Sequence, residues 1–281
     1  MAIDKTKLKY VPGTYARKKP GSAQVADQYI AEWSQRQLKL KGPQKAPTEI
    51  APAICFSRKI GAGALEIADR LGEVLQYRVV DRELLEHVAK DRELSKKTVE
   101  FFDERYPGKM LELGSMLFGE KSFIMSDYIR QIVSAVFAFA NLGSTIFVGR
   151  GIHLILPRER VLAVRIICSD NYRIERLAGI LDVEDKEAEK LLRRIDQEQR
   201  AFFKKAFGKK DAIPYEFDLT INCDFIGDPQ KAAQLIECAF RGKFAAEFEA
   251  GDFAVKKQAP GNPNPGPGKI PAGEQIVAQS G

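Results

Sequence analysis

The stretch SRKIGAGALEI (residues 57–67) joins an apolar run, PAICF, to a helix-patterned ADRLGEVL. Strand, glycine turn and helix in that order can hold phosphate. Backbone N–H groups wrap the anion, and the helix N-terminus favours negative charge. Gly61 and Gly63 supply the glycines such a close backbone approach needs. The residues of the cradle would be Ser57, Arg58, Lys59, Gly61, Ala62, Gly63 and Ala64. The usual form is G-x-x-x-x-G-K-[ST]. With its second glycine on Gly63, Arg58 takes the first glycine, Ala64 the lysine and Leu65 the Ser/Thr. A plain strand-to-helix turn fits the same spacing. Lys59 could supply the missing charge, or face solvent.

Phosphate chemistry also favours planar cations, which grip anionic oxygens in pairs. Arg150 follows Gly149 at the end of an apolar run, and Arg82 follows Asp81 at the end of another. Arg173 and Arg176 lie about one helical turn apart. In residues 184–207, a step of about 100° per residue puts Arg193, Asp196, Arg200 and Lys204 opposite Leu191, Ile195 and Phe202. Plainer readings exist for each: Arg150 as a salt-bridge partner, Asp81 as a helix N-cap rather than a water-mediated magnesium holder, and Asp196–Arg200 as an i,i+4 pair on a solvated face.

These groups need a scaffold. AICFS (53–57), YRVVD (77–81), STIFVG (144–149), VLAVRIIC (161–168) and DLTIN (218–222) are short and rich in β-branched residues, with almost continuous apolar character. Strands buried on both faces have that composition, which predicts a parallel sheet. Helical patterns fill the intervals, so the class is α/β with right-handed crossovers. Ligands bind such sheets at the carboxyl ends of the strands, where Ser57, Asp81 and Gly149-Arg150 fall.

Three parts are expected. Residues 1–49 form a basic extension with one amphipathic helix, whose Val25, Tyr29, Trp33 and Leu38 lie near one face. Residues 50–245 form the α/β domain. Residues 246–281, with APGNPNPGPGKIPAG, form a Pro/Gly-rich tail expected to be disordered. The net charge of +6 belongs to the extension: residues 1–46 carry ten basic and three acidic side chains. That arm suits nucleic acid, an acidic partner or simple solvation; we expect solvation. Four scattered cysteines and two histidines leave no clustered metal ligands, and the cysteines are expected as small buried side chains. Nothing approaches the apolar length of a membrane helix, and the N-terminus lacks a secretory core, so a soluble, cytoplasmic protein is expected. The oligomeric state is open.

The ordered set of motifs resembles the cytidylate kinase-like family of P-loop nucleoside monophosphate kinases. FSRKIGAGALEIA is similar to that family's I-S-R-E-[YF]-G-S-G-G-R-E-I-A loop, which also lacks the lysine. VVDRELL resembles Y-D-x-E-L, IFVGRGIHLIL a strand ending in V-G-R, and residues 172–176 match Y-R-I-E-R. EFDLTIN resembles Y-D-L-x-[IL]-N. IDQEQRAFF resembles V-D-x-E-R-x-x-[YF]-[YF], with its arginine one residue later. Lys59, Ala64 and Leu65 depart from the loop. Gly151 stands where monophosphate kinases commonly carry a base-reading aspartate. The resemblance implies a three-layer P-loop kinase sandwich with a central five-stranded parallel sheet and a helical lid. It implies ATP and Mg2+ as cofactors, with metal ligands unassigned, and transfer to a nucleoside monophosphate (CMP-like) or similar phosphorylated molecule. Arg150 would hold the acceptor phosphate, with Asp81, Arg82, Arg173 and Arg176 facing the same cleft. Arg193, Arg194, Asp196 and Arg200 would close over the transferred group. A catalytically inactive nucleotide-binding or scaffold descendant is the alternative.

Overall fold

The computed structural model describes residues 22–39, 50–118 and 126–249. The basic arm before residue 22 and the Pro/Gly-rich segment from residue 250 lie outside the described residues. Five strands form one sheet: β1 (Ala53–Arg58), β2 (Arg78–Asp81), β3 (Thr145–Val148), β4 (Val161–Ile167) and β5 (Leu219–Asn222). Their order is β2-β3-β1-β4-β5, and every pair is parallel. Each strand coincides with one of the five apolar runs.

The two-residue period of a strand divides the core. Ala53 and Cys55 of β1 enter one apolar layer; Ile54 and Phe56 enter the other. The first layer is covered by α1 (Ser22–Lys39), α3 (Arg82–Lys90), α4 (Arg92–Arg105), α5 (Lys109–Phe118) and α6 (Asp127–Asn141). The second is covered by α2 (Ala64–Leu75) and α9 (Pro229–Lys243). Helices on both faces of a parallel sheet make the three-layer sandwich.

α1 packs as part of the first layer. Ala26, Ile30 and Trp33 are buried, and Trp33 meets Phe101 edge-on at 5.0 Å. Trp33 is thus buried as expected, whereas Val25 and Tyr29 are half-buried beside Ala26 and Ile30. The Leu38 side chain lies outside the described ones. The boundary expected at residue 245 falls on a short helix, α10 (Ala245–Glu249), which Phe248 ties to Phe240 with ring centroids 5.8 Å apart. The fold thus extends to Glu249.

A third apolar cluster sits at the carboxyl end of the sheet. α7 (Asp170–Leu181) and the 23-residue α8 (Asp185–Phe207) form a helical hairpin, the lid. Leu177, Ala178, Ala188, Leu192 and Ile195 enclose Ile60 of the glycine loop. Leu192, not Leu191, is the buried leucine on α8, because the hairpin buries the i, i+4, i+7 row Ala188–Leu192–Ile195. Among the described residues no helix is long and apolar enough to cross a membrane. The four cysteines are free; Cys55 and Cys223 are buried, Cys168 is half-buried and Cys238 exposed.

Candidate active site

The glycine loop links β1 to α2. Gly61 and Gly63 take left-handed backbone angles, φ 86° and 78°. Gly63 caps α2 with no side-chain hydrogen bond, so no side chain occupies the cap of that helix. Its first-turn N–H groups are the donors an anion would use. Ala62 and Ala64 are buried and contribute backbone alone. Leu65 is buried in the second core layer and offers no oxygen where the usual loop has Ser or Thr.

Beside the loop, three arginines converge on a small cleft lined by Arg58, Arg82, Arg150, Gln199, Phe202 and Phe203. The strands position them. Arg58 is the last residue of β1, and its guanidinium lies against Gly149. Arg82 opens α3, whose N-cap is Asp81; the Asp81 carboxylate accepts from Leu84 N at 2.9 Å. Arg150 follows β3 at φ 57° between two left-handed glycines, Gly149 and Gly151. Side chains seldom adopt that region, which costs roughly 1–2 kcal/mol. Here it turns Arg150 into the cleft.

The Arg150 side chain is only 8% exposed and meets the Glu86 carboxylate. Glu86 also accepts from Arg82 Nε at 2.6 Å. The Arg150 guanidinium stacks 4.0 Å from the centre of the Phe202 ring, a cation–π contact. Burial, then the neighbouring charges of Arg82 and Arg58, pulls its pKa below the ordinary value. The Glu86 contact works the other way, and a guanidinium keeps its proton. Arg150 Nε has no partner among the described residues. Arginines of this planar, forked geometry suit the binding of an anionic oxygen.

Other expected residues sit elsewhere. Arg173 does not line the cleft. Its side chain is 2% exposed and donates from Nε to Ile60 O at 2.6 Å, from Nη1 to Asp170 at 2.8 Å and from Nη2 to Asp196 at 2.6 Å. Burial opposes its charge, but those carboxylates hold its pKa above the ordinary value. Arg173 and Asp196 therefore join the glycine loop to both lid helices, and Asp196 pairs with Arg173 rather than with Arg200. Arg176 donates to Glu66 at 2.7 Å, and a Cβ on Gly63 would lie 3.5 Å from its guanidinium, so a cation stands over the loop. The Lys59 nitrogen is 3.9 Å from Asp170 on a half-exposed side chain. Arg193 is 78% exposed and bound to Glu189; Arg194 and Arg200 are exposed.

α8 presents Gln199 to the cleft, one residue before Arg200 and about 100° around the helix from it. Gln199 Nε2 donates to Arg58 O at 2.9 Å. This residue, Glu86 and the phenylalanines Phe202, Phe203 and Phe207 were not among those expected. Two signals pointed to them: Gln199 stands where the resembling motif has its arginine, and Glu86 is i+4 from Arg82. Gly151 could not be an aspartate in this packing. A Cβ there would lie 2.5 Å from a Phe207 ring carbon and 3.1 Å from one of Phe203.

The model of the cytidylate kinase-like family matches residues 53–224, from the first residue of β1 to just past β5. The chain belongs to the cytidylate kinase-like family. An uncharacterized protein from Eubacterium ventriosum ATCC 27560 is similar in fold, with a TM-score of 0.53 at 20% identity over 68% of this chain and 98% of that one. A shikimate kinase from Bacteroides thetaiotaomicron aligns at 14% identity over 71% of this chain and 98% of that one, with a TM-score of 0.34. No curated protein matches the sequence. Membership in this family supports a nucleotide kinase-like function.

Proposed function

We propose that this protein transfers the γ-phosphoryl group of ATP to a nucleoside monophosphate or a similar phosphorylated small molecule. The observation that carries the reading is the convergence of Arg58, Arg82 and Arg150 on one cleft beside an uncapped glycine loop. The donor phosphates suit the loop: no side chain caps the start of α2, and Arg176 over Gly63 is the nearby cation. ATP supplies the group to be moved. Arg150 and Arg82 hold the acceptor's anionic end, oriented by Glu86 beneath them. Arg58 belongs to both halves, as the residue that enters the loop and as a wall of the cleft. α8 closes above and shields the site from water, which protects against hydrolysis.

Magnesium fits the residues less well. Leu65 has no oxygen, and the described residues contain no group of three His, Cys, Asp or Glu side chains that could hold a metal ion. We assign no step to it.

Leu65 and the exposure of Arg193, Arg194 and Arg200 favour a second reading, a nucleotide-binding protein without turnover. Incubating the protein with ATP, magnesium and a panel of nucleoside monophosphates and following ADP separates the two. Acceptor-dependent ADP is expected. Measurable ATP binding with no ADP from any acceptor establishes the second reading.

A further inference from the structure

We infer that Gln199 reads a hydroxyl group on the acceptor, so that the cleft selects a hydroxyl-bearing phosphate monoester over a simple alkyl phosphate. The inference rests on the anion-binding cleft proposed above and assigns the part of the ligand beyond the phosphate. Its basis is a hydrogen-bond count. The Arg58 carbonyl can only accept, so the Gln199 amide nitrogen must face it, at 2.9 Å. That fixes the orientation of the amide and turns Oε1 the other way. Gln199 lines the cleft, and Oε1 is buried with no partner among the described residues. A buried carbonyl oxygen without a donor is rare in folded proteins and costly to maintain.

A second orphan sits in the same cleft. Arg150 Nε, on a side chain 8% exposed, is also buried without a partner. The two orphans are complementary to one kind of ligand. Arg150 Nε needs an acceptor, which a phosphate oxygen provides. Gln199 Oε1 needs a donor, which phosphate at neutral pH provides poorly and a hydroxyl provides well. The phenylalanines Phe202 and Phe203 line the wall between polar groups and offer no donor of their own. Gln199 and the Phe202 ring stacked on Arg150 both come from α8, so this one helix brings the two orphan atoms to the same cleft. A glutamine at this position, instead of the exposed Arg200 one residue on, makes the α8 contribution to the cleft neutral. It acts by hydrogen bonding rather than by charge.

The test compares ligands that differ only in hydroxyl groups: n-propyl phosphate against glycerol 3-phosphate, with ribose 5-phosphate as a second hydroxylated probe. Calorimetric titration of the full chain, without ATP, is expected to show at least one hydroxylated probe binding tenfold or more tightly than propyl phosphate. In Gln199→Leu that preference falls to within twofold. Arg150→Met weakens all three ligands together. Equal affinity of the wild type for all three probes overturns the inference but leaves the anion cleft intact. A preference that survives in Gln199→Leu also overturns it. If the wild type binds none of the probes, the anion cleft itself fails, and the role of Gln199 with it. The wild-type comparison stands even if a variant does not fold.

Discussion

Arg173 was expected to contact substrate and instead ties the glycine loop to the lid, so its replacement separates two kinds of residue. Arg173→Met keeps an unbranched chain of similar bulk and removes three hydrogen bonds. The Ile60 carbonyl loses its arginine donor, and Asp196, with a side chain only 15% exposed, loses its counter-charge. Removing one partner of a buried ion pair costs about 3–5 kcal/mol. Asp170 is 71% exposed, so its share is small after solvent screening. At about 2–4 °C per kcal/mol for a domain of this size, the melting temperature should fall by roughly 6–20 °C. Asp196→Leu should destabilise too, because it strands a buried guanidinium. The double variant Arg173→Met/Asp196→Leu leaves no buried charge in that pair and should be more stable than either single change, with a coupling of at least about 1.5 kcal/mol in a double-mutant cycle. Urea unfolding of the four proteins gives the cycle directly, and ATP titration of wild type and Arg173→Met gives the affinities. If Arg173→Met stays within about 1 kcal/mol of wild type while ATP affinity falls tenfold, the structural reasoning is refuted and the guanidinium acts on the ligand.

Two further outcomes follow from the same structure. Gly151→Ala places a methyl group 2.5 Å from the Phe207 ring at φ 69°, which combines overpacking with left-handed strain at a total of about 2–5 kcal/mol; a variant melting within a degree of wild type would contradict the packing described. His153 is buried, and burial lowers its pKa from 6.5 to about 4 against the opposing pull of Glu216. The unfolded chain therefore takes up that proton at a higher pH than the folded one, and stability should fall as pH drops from 6.5 to about 4, by up to about 3 kcal/mol. Urea unfolding at stepped pH should show a flatter acid limb for His153→Gln.

Much of this protein was legible in its residues. Five apolar runs became five parallel strands because continuous β-branched character has few other stable homes. Gly61 and Gly63 marked the loop, since the backbone there needs left-handed angles that other residues resist. Arg150 was placed at a strand end by a short apolar run followed by glycine. Periodicity also found α8 as one long helix, and it placed an amphipathic helix where α1 lies. All these are local properties, set by chain geometry and side-chain type.

What the tertiary structure decided was which charged groups meet. Arg173 and Arg200 look alike in the sequence, yet one is buried on two carboxylates and the other is exposed. The difference comes from how α7 and α8 pack on Ile60, and that packing depends on residues more than a hundred positions away in the chain. Glu86 is paired with Arg150 because β2 lies beside β3, a neighbour relation that no local pattern encodes. Gln199 rather than Arg200 reaches the cleft because the rotation of α8 is set by Ala188, Leu192 and Ile195 against the loop. A helix turns about 100° per residue, so burying that apolar row determines every polar side chain opposite it.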